Sequence, residues 1–178
     1  MRKTAIFCFL YFVVPLALAG QQAKTTDGWD ACRFLVGEWT AEGGGAPGRG
    51  MGTFSFHFDL DGRILVRNNR VDYPATKDRP AFSHQDLMVI YAEGRGTSTR
   101  AIYFDNEGHV IHYTAEFSQD RNSWTFLSDA VPSAPRFRLA YTRSKNGMLT
   151  AKFEISPPGK PDSFSTYVEG TARRKKGP

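Results

Sequence analysis

Two hairpins carry the side chains best suited to bind a ligand. The first turns at Asp61-Gly62, and a loop of either two or four residues would pair Phe56 with Arg67 and Phe54 with Asn69. Cross-strand partners share a face, so Arg67 and Asn69 are predicted to point into the same interior as the phenylalanines. An interior guanidinium requires an opposite charge, which predicts either a bound anionic group or an internal ion pair. A loop of three residues would reverse the faces.

The second hairpin is predicted to turn at Glu107-Gly108. That loop would pair Phe104 with Ile111 and Ile102 with Tyr113, apolar with apolar, and would place His109 on the inner face at the rim. The candidate ligand-binding residues of both hairpins are therefore Phe54, Phe56, Arg67, Asn69, Ile102, Tyr103, Phe104, His109 and Tyr113.

Metal and enzyme chemistry have little support in the sequence. His109 and His112 would lie on opposite faces of a strand and cannot share an ion. Asp105 and Glu107 could converge on His109, but turn formation explains both acids without a metal. There is no Gly-x-Ser-x-Gly, no His-Glu-x-x-His and no Cys beside a plausible base. We therefore expect no metal site, and a binding protein rather than an enzyme.

Most of the chain consists of strand-length segments rich in Phe, Tyr, Val, Ile and Thr that end at Gly, Asn, Asp or Pro. Only 27–36 looks helical, with Thr26 or Asp27 as its N-cap and Gly37 as its end. The predicted strands are 38–42, 52–60, 63–73, 86–92, 99–105, 109–118, 123–127, 136–143, 148–155 and 163–172. The glycine-rich segment 43–52 is interpreted as a flexible connection between the first two strands. A phosphate-binding loop is not favoured, because no helix follows whose N-terminus could hold a phosphate.

The connections between these strands are too short for parallel crossovers, which favours an antiparallel meander. Closure removes exposed edges, so we expect an all-β fold in which about ten strands form an antiparallel barrel rather than a sandwich. Alternation along 53–60 places the phenylalanines on one face and polar residues on the other, so the aromatic face is predicted to point inward.

The amino terminus has the pattern of a cleaved secretory leader. Basic residues precede an apolar run over 5–19, which ends in small residues and is shorter than the roughly 20 residues of a membrane span. We expect cleavage after Ala19, a secreted or periplasmic protein, and no membrane span after cleavage. The domain plan is a leader over 1–19, an N-terminal segment over 20–36, a barrel over 37–173 and a basic tail over 174–178.

Charge gives little information about partners. The formal net charge is +5, and much of the excess lies in the leader and in the tail. The tail lacks the interleaved aromatic residues that stack on bases, so no nucleic-acid partner is expected. Cys32 is the one cysteine beyond the leader, so no internal disulfide is expected, and a link between two chains is left open along with the oligomeric state.

At Phe34-Leu35-Val36-Gly37-Glu38-Trp39 the chain resembles the lipocalin-like (calycin) barrels, and it looks most similar to small bacterial families of unassigned function among them. The resemblance implies that Gly37 and Trp39 open the first strand, that Trp39 closes one barrel end, and that Arg173, or its neighbour Arg174, covers the indole ring. Lipocalins with disulfides and a late helix differ from this chain in both features.

The layout is also similar to the nitrobindin-like barrels, which hold haem through a histidine. In that pattern the histidine comes late in the chain, whereas the last histidine here is His112 and 157–162 contains none. No cofactor is therefore expected, and haem at His109 is kept as an alternative.

These features predict an exported barrel that binds a small hydrophobic or anionic ligand in its lumen. The alternatives are a haem-binding or small-molecule-converting protein that uses His109, and a structural barrel filled by its own side chains. The volume of the lumen separates them, and the sequence does not reveal it.

Overall fold

The computed structural model describes residues 29–94, 98–160 and 162–175. The predicted leader and the predicted N-caps Thr26 and Asp27 lie outside these residues. Ten strands follow one another along the chain: β1 (Gly37–Gly45), β2 (Gly50–Asp59), β3 (Ile64–Tyr73), β4 (Phe82–Glu93), β5 (Ser98–Asp105), β6 (Val110–Phe117), β7 (Ser123–Ser128), β8 (Arg136–Arg143), β9 (Leu149–Ser156) and β10 (Ser165–Arg174). Within the described ranges, no helix has the length and apolar character needed to cross a bilayer.

The strands form one closed antiparallel barrel. Each strand pairs with its neighbours in sequence, and β1 also pairs with β10, which closes the sheet. The expected all-β, ten-stranded barrel is confirmed. The first hairpin has the predicted register, with Phe56 opposite Arg67 and Phe54 opposite Asn69, across a four-residue turn between Asp59 and Ile64.

The segment before β1 is a 3₁₀ helix rather than the short α-helix expected over 27–36. The helix covers Asp30–Cys32, and the backbone N–H groups of Cys32, Arg33, Leu35 and Val36 bond three residues back. No side chain caps it. Gly37, with a φ of 123°, then ends the helical geometry before β1.

Strands β1 and β2 extend into the glycine-rich segment, so the flexible connection expected over 43–52 is wrong. Only 46–49 join Gly45 to Gly50. The glycines allow close strand approach, because a Cβ on Gly43 would lie 2.6 Å from the Cα of Gly170 in β10. The glycines that suggested a loop therefore belong to two closely packed strands.

One end of the barrel is closed by Trp39. Its indole is buried, donates a 2.8 Å hydrogen bond to the Leu35 carbonyl, and lies with its centroid 4.5 Å from the guanidinium carbon of Arg174. Arg174 also donates to the carbonyl oxygens of Phe34 and Val36. Of the two residues expected as the cover, Arg174 and not Arg173 takes this position, because Arg174 is the direct partner of Trp39 in the β1–β10 ladder and shares its face.

The half of the barrel behind Trp39 is filled by side chains. Phe56, expected to contact a ligand, belongs to this core, where it is buried against Tyr141 at a ring-centroid distance of 5.3 Å. Cys32 is buried at the same end, its thiol directed at the Trp29 carbonyl, and burial raises the pKa of the thiol to about 12. A disulfide between two chains would therefore require this end to open.

Replacement of the cation over Trp39 tests how the end is closed. We expect Arg174→Ala to lower the free energy of unfolding by about 2 kcal/mol, because it removes a cation–π contact and two hydrogen bonds to carbonyls. Arg173→Ala, the adjacent outward position, is expected to change it by less than about 0.5 kcal/mol. Urea unfolding of both variants measures the difference, and equal effects would contradict the assigned role of Arg174.

Candidate functional site

The other half of the barrel encloses an open lumen of about 790 Å³. Its mouth lies at the ends of strands where β1 meets β2, β3 meets β4 and β5 meets β6, and it is lined there by Pro47, Tyr73, Phe82 and Tyr167. Phe54 and Tyr113 line its inner part. The volume falls within the range of about 300–1,000 Å³ found for small-molecule sites.

One side of the lumen is apolar. We call it the apolar wall, formed by inward residues of β6, β8, β9 and β10: Ile111, Phe137, Leu139, Ala151, Phe153, Ile155 and Val168. Phe137 and Phe153 stack there with centroids 5.8 Å apart. These side chains leave a continuous hydrophobic surface that a ligand could remove from water.

The opposite side is a polar wall, formed by side chains of β3, β4, β5 and the turn after β5: Arg67, Asn69, His84, Asp86, Tyr103, Asp105, Glu107 and His109. Arg67 is buried and its Nη1 donates to Asp86 Oδ1, while Asn69 Nδ2 donates to Asp86 Oδ2 at 2.7 Å. The anion that compensates Arg67 is thus a residue of the protein. Of the two predicted alternatives, the internal ion pair is the one observed.

His84 lies at the centre of the polar wall. Its Nδ1 is 2.9 Å from Glu107 Oε1, and its Nε2 is 3.0 Å from the Tyr103 hydroxyl and 3.3 Å from Asp86 Oδ2. The hydrogen bond to Asp86, with further help from Glu107 and against the effect of burial, raises the pKa of His84 to about 9. His84 is therefore a cation at neutral pH, and both of its ring N–H groups donate.

The polar wall continues to the mouth as a chain of hydrogen bonds. The Tyr103 hydroxyl donates to Asp105 Oδ2 at 3.3 Å, and the same oxygen lies 2.8 Å from His109 Nδ1. Burial favours the neutral acid, but hydrogen bonds from His109 outweigh it and lower the pKa of Asp105. Burial raises the pKa of Tyr103, so its hydroxyl stays protonated as a donor.

The register expected for the second hairpin is wrong. Phe104 pairs with Val110 and Tyr103 with Ile111, because the turn contains Asn106, Glu107 and Gly108 and so has one more residue than expected. A single added residue exchanges the faces. Ile102 and Phe104 consequently lie on the outer face, where Phe104 is 40% exposed, and they do not line the lumen.

The structure brings six of the nine predicted binding residues to the lumen: Phe54, Arg67, Asn69, Tyr103, His109 and Tyr113. The sequence analysis missed His84 and the role of Asp86, because β4 begins at Phe82 rather than at Asp86. Extending the β4 alternation backwards from buried Met88 and Ile90 would have placed both residues inward.

Haem at His109 is the alternative that the sequence left open. An axial histidine needs a ring nitrogen free to face the lumen. Both nitrogens of His84 are engaged, by Glu107 and Tyr103. His109 contacts Asp105 through Nδ1 at the rim, where its side chain is 58% exposed, and Nε2 takes no part in that contact. In the described part of the chain, no three metal-ligating side chains form a cluster.

Comparison with known proteins identifies a fold. The crystal structure of Rv2717c from M. tuberculosis matches with a TM-score of 0.61 and 13% sequence identity, over 84% of this chain and 98% of that chain. No protein-family model and no curated protein sequence matches. The likeness supports the barrel, and the function has to be argued from the lumen.

Removal of the charge of Asp86 tests the ion pair. We expect Asp86→Asn to lower the free energy of unfolding by about 3–5 kcal/mol, because Arg67 would remain buried without a counterion. Asp72→Asn is the matched control, since Asp72 pairs with Arg70 at the surface, where the side chains are 53% and 59% exposed. Its cost is expected to be much smaller, because water and salt screen an exposed ion pair. Similar losses in the two variants would contradict a buried charge pair.

The raised pKa of His84 predicts a pH dependence of stability. A group whose pKa is higher in the folded state stabilises fully below its unfolded pKa, here 6.5, and loses that contribution as the pH rises through about 9. Between pH 6.5 and pH 10, the free energy of unfolding of the wild type should therefore fall by roughly 3 kcal/mol more than that of His84→Gln. Urea unfolding across this range measures the difference, and parallel pH profiles would contradict the prediction.

Proposed function

We propose that this protein binds a small, predominantly apolar molecule in the lumen of its barrel. The observation that carries the proposal is the lumen of about 790 Å³, open at one end, with a continuous apolar wall. In a barrel that is only a structural element, side chains are expected to fill the interior, because close packing there stabilises the fold. The open lumen forgoes that stabilisation.

The apolar wall would provide the affinity for the ligand, and the polar wall would fix its orientation. Burial of ligand surface against Phe137, Leu139 and Phe153 supplies the free energy, at about 25 cal/mol for each Å² removed from water. The polar wall supplies orientation, because Asn69 and Tyr103 present fixed amide and hydroxyl groups inside the lumen. Its charges are held by one another, so the wall is organised before a ligand arrives.

The leader-like amino terminus supports binding outside the cytoplasm, in a secreted or periplasmic protein. The ligand would then be one that reaches the mouth from the extracytoplasmic medium. This placement is part of the proposal and is tested by the size of the protein purified from its own host, since cleavage after Ala19 removes the apolar segment.

Filling the lumen tests the proposal. Ala151 lies in the apolar wall, so Ala151→Trp should occupy part of the space and weaken binding of the neutral fluorescent probe N-phenyl-1-naphthylamine by about tenfold or more. The control is Ala140→Trp, since Ala140 follows the buried Leu139 on β8 and faces outward beside Lys152. Fluorescence titration measures both affinities, and circular dichroism verifies that each variant retains the sheet. Unchanged probe binding by Ala151→Trp would contradict a ligand in the lumen.

A further inference from the structure

We infer that the lumen takes an anionic amphiphile, a molecule with an apolar body and one carboxylate or similar acid, and that Arg79 at the mouth binds its charged group. This inference rests on the proposed function and names the ligand class for the same site. The anion site expected at Arg67 is thereby moved from the inner end of the lumen to its entrance.

Arg79 is fixed in place by neighbouring groups, but not all of its N–H donors have acceptors. Its Cζ lies 4.3 Å from the centroid of Phe82, and Nη2 donates to the Pro47 carbonyl across the mouth. Phe82 in turn stacks on Tyr73 with ring centroids 4.7 Å apart. These contacts fix the plane of the guanidinium beside the opening, and little side-chain entropy remains to be lost when an acid binds.

Arg79 retains donors for a ligand. Its Nε is buried and has no hydrogen-bond partner among the described residues. A buried N–H without an acceptor is destabilising, and a carboxylate that reaches the Nε edge of the guanidinium would satisfy it together with a second N–H. Arg79 itself lines the lumen, so a ligand that enters the mouth passes its guanidinium.

The charged side chains of the polar wall are paired with one another, although Arg67 Nε, like Arg79 Nε, has no hydrogen-bond partner among the described residues. Arg67 pairs with Asp86, His84 lies between Asp86 and Glu107, and Asp105 bonds His109. In the part of the chain that the structure describes, no carboxylate forms an ion pair with Arg79. At the mouth, an entering acid therefore meets the guanidinium of Arg79, which has no carboxylate partner among the described residues. The apolar wall lies beyond it.

The arrangement sets the orientation of the ligand. The acid stays at Arg79, where it keeps part of its hydration, and the apolar body extends inward over Phe153 and Leu139. Burying the charged group deeper would cost far more, because the inner charges of the polar wall are already paired with one another. A cationic amphiphile would meet the like charge of Arg79 at the mouth and would bind more weakly than a neutral one.

The test compares three molecules with the same chain and different head groups. Decanoate, decanol and decylammonium displace N-phenyl-1-naphthylamine from the wild-type protein, from Arg79→Gln and from Arg63→Gln, whose arginine is exposed in the turn at the closed end. For the wild type and for Arg63→Gln we expect decanoate to bind about tenfold more tightly than decanol, and decylammonium to bind most weakly. Arg79→Gln should bind decanoate no better than decanol while its affinity for decanol is unchanged.

Each contrary result has a distinct meaning. If decanol displaces the probe but decanoate has no advantage, or if Arg79→Gln keeps that advantage, the inference is overturned and the lumen proposal stands. If Arg79→Gln lowers the affinities for decanol and decanoate equally, the role of Arg79 is only to stabilise the structure of the mouth. The inference is then likewise overturned. If the wild type binds neither the probe nor any of the three molecules, the proposed function fails together with the inference.

Discussion

A sheet that closes on itself sends every second side chain of each strand into one shared interior. In this barrel the interior has to accommodate both volume and charge. Large aromatic side chains meet in the half behind Trp39 and fill it, so that Phe56, Tyr141 and Trp124 are almost completely buried. The inward side chains of the other half leave its centre open, and the lumen is the space that they enclose.

Charge in that interior is organised around Arg67. A buried guanidinium without a counterion would cost several kcal/mol, so Asp86 two positions along the neighbouring strand ladder is as necessary to the fold as an apolar core residue. Asn69 and His84 bond the same carboxylate, and Tyr103, Asp105 and Glu107 continue the network to the mouth. The charges of this wall are thus paired with one another, and in the proposed binding mode hydrophobic burial would be the main source of ligand affinity.

This division explains why fold and function are separate questions for this chain. The similarity to Rv2717c, at 13% identity, concerns the barrel. What a barrel binds depends on which inward residues are large, which are charged and which charges lack partners. Here those details lie in Ala151 and Phe153 on one side, in the compensated network on the other, and in Arg79 at the entrance.

The sequence by itself determined the strands and the faces within each strand. Alternation of apolar and polar residues is a local property, and so is the register of the Asp61-Gly62 hairpin, which a short turn fixes. For that reason all ten strands and the inward direction of Arg67 and Asn69 were predictable. Where a local signal was misleading, as for the turn at Glu107-Gly108, one additional loop residue reversed the faces of Ile102 and Phe104.

Only the tertiary structure decided which inward residues meet. The connection from β3 to β4, residues 74–81, is too long to fix a register, so the contacts of Asp86 and His84 with residues of other strands did not follow from the sequence. The choice of Arg174 over Arg173 required the β1–β10 pairing, which joins the two ends of the chain. The volume of the lumen and the pairing of its charges depend on side chains from many strands. They are therefore set only when the barrel closes and brings those strands around a common axis.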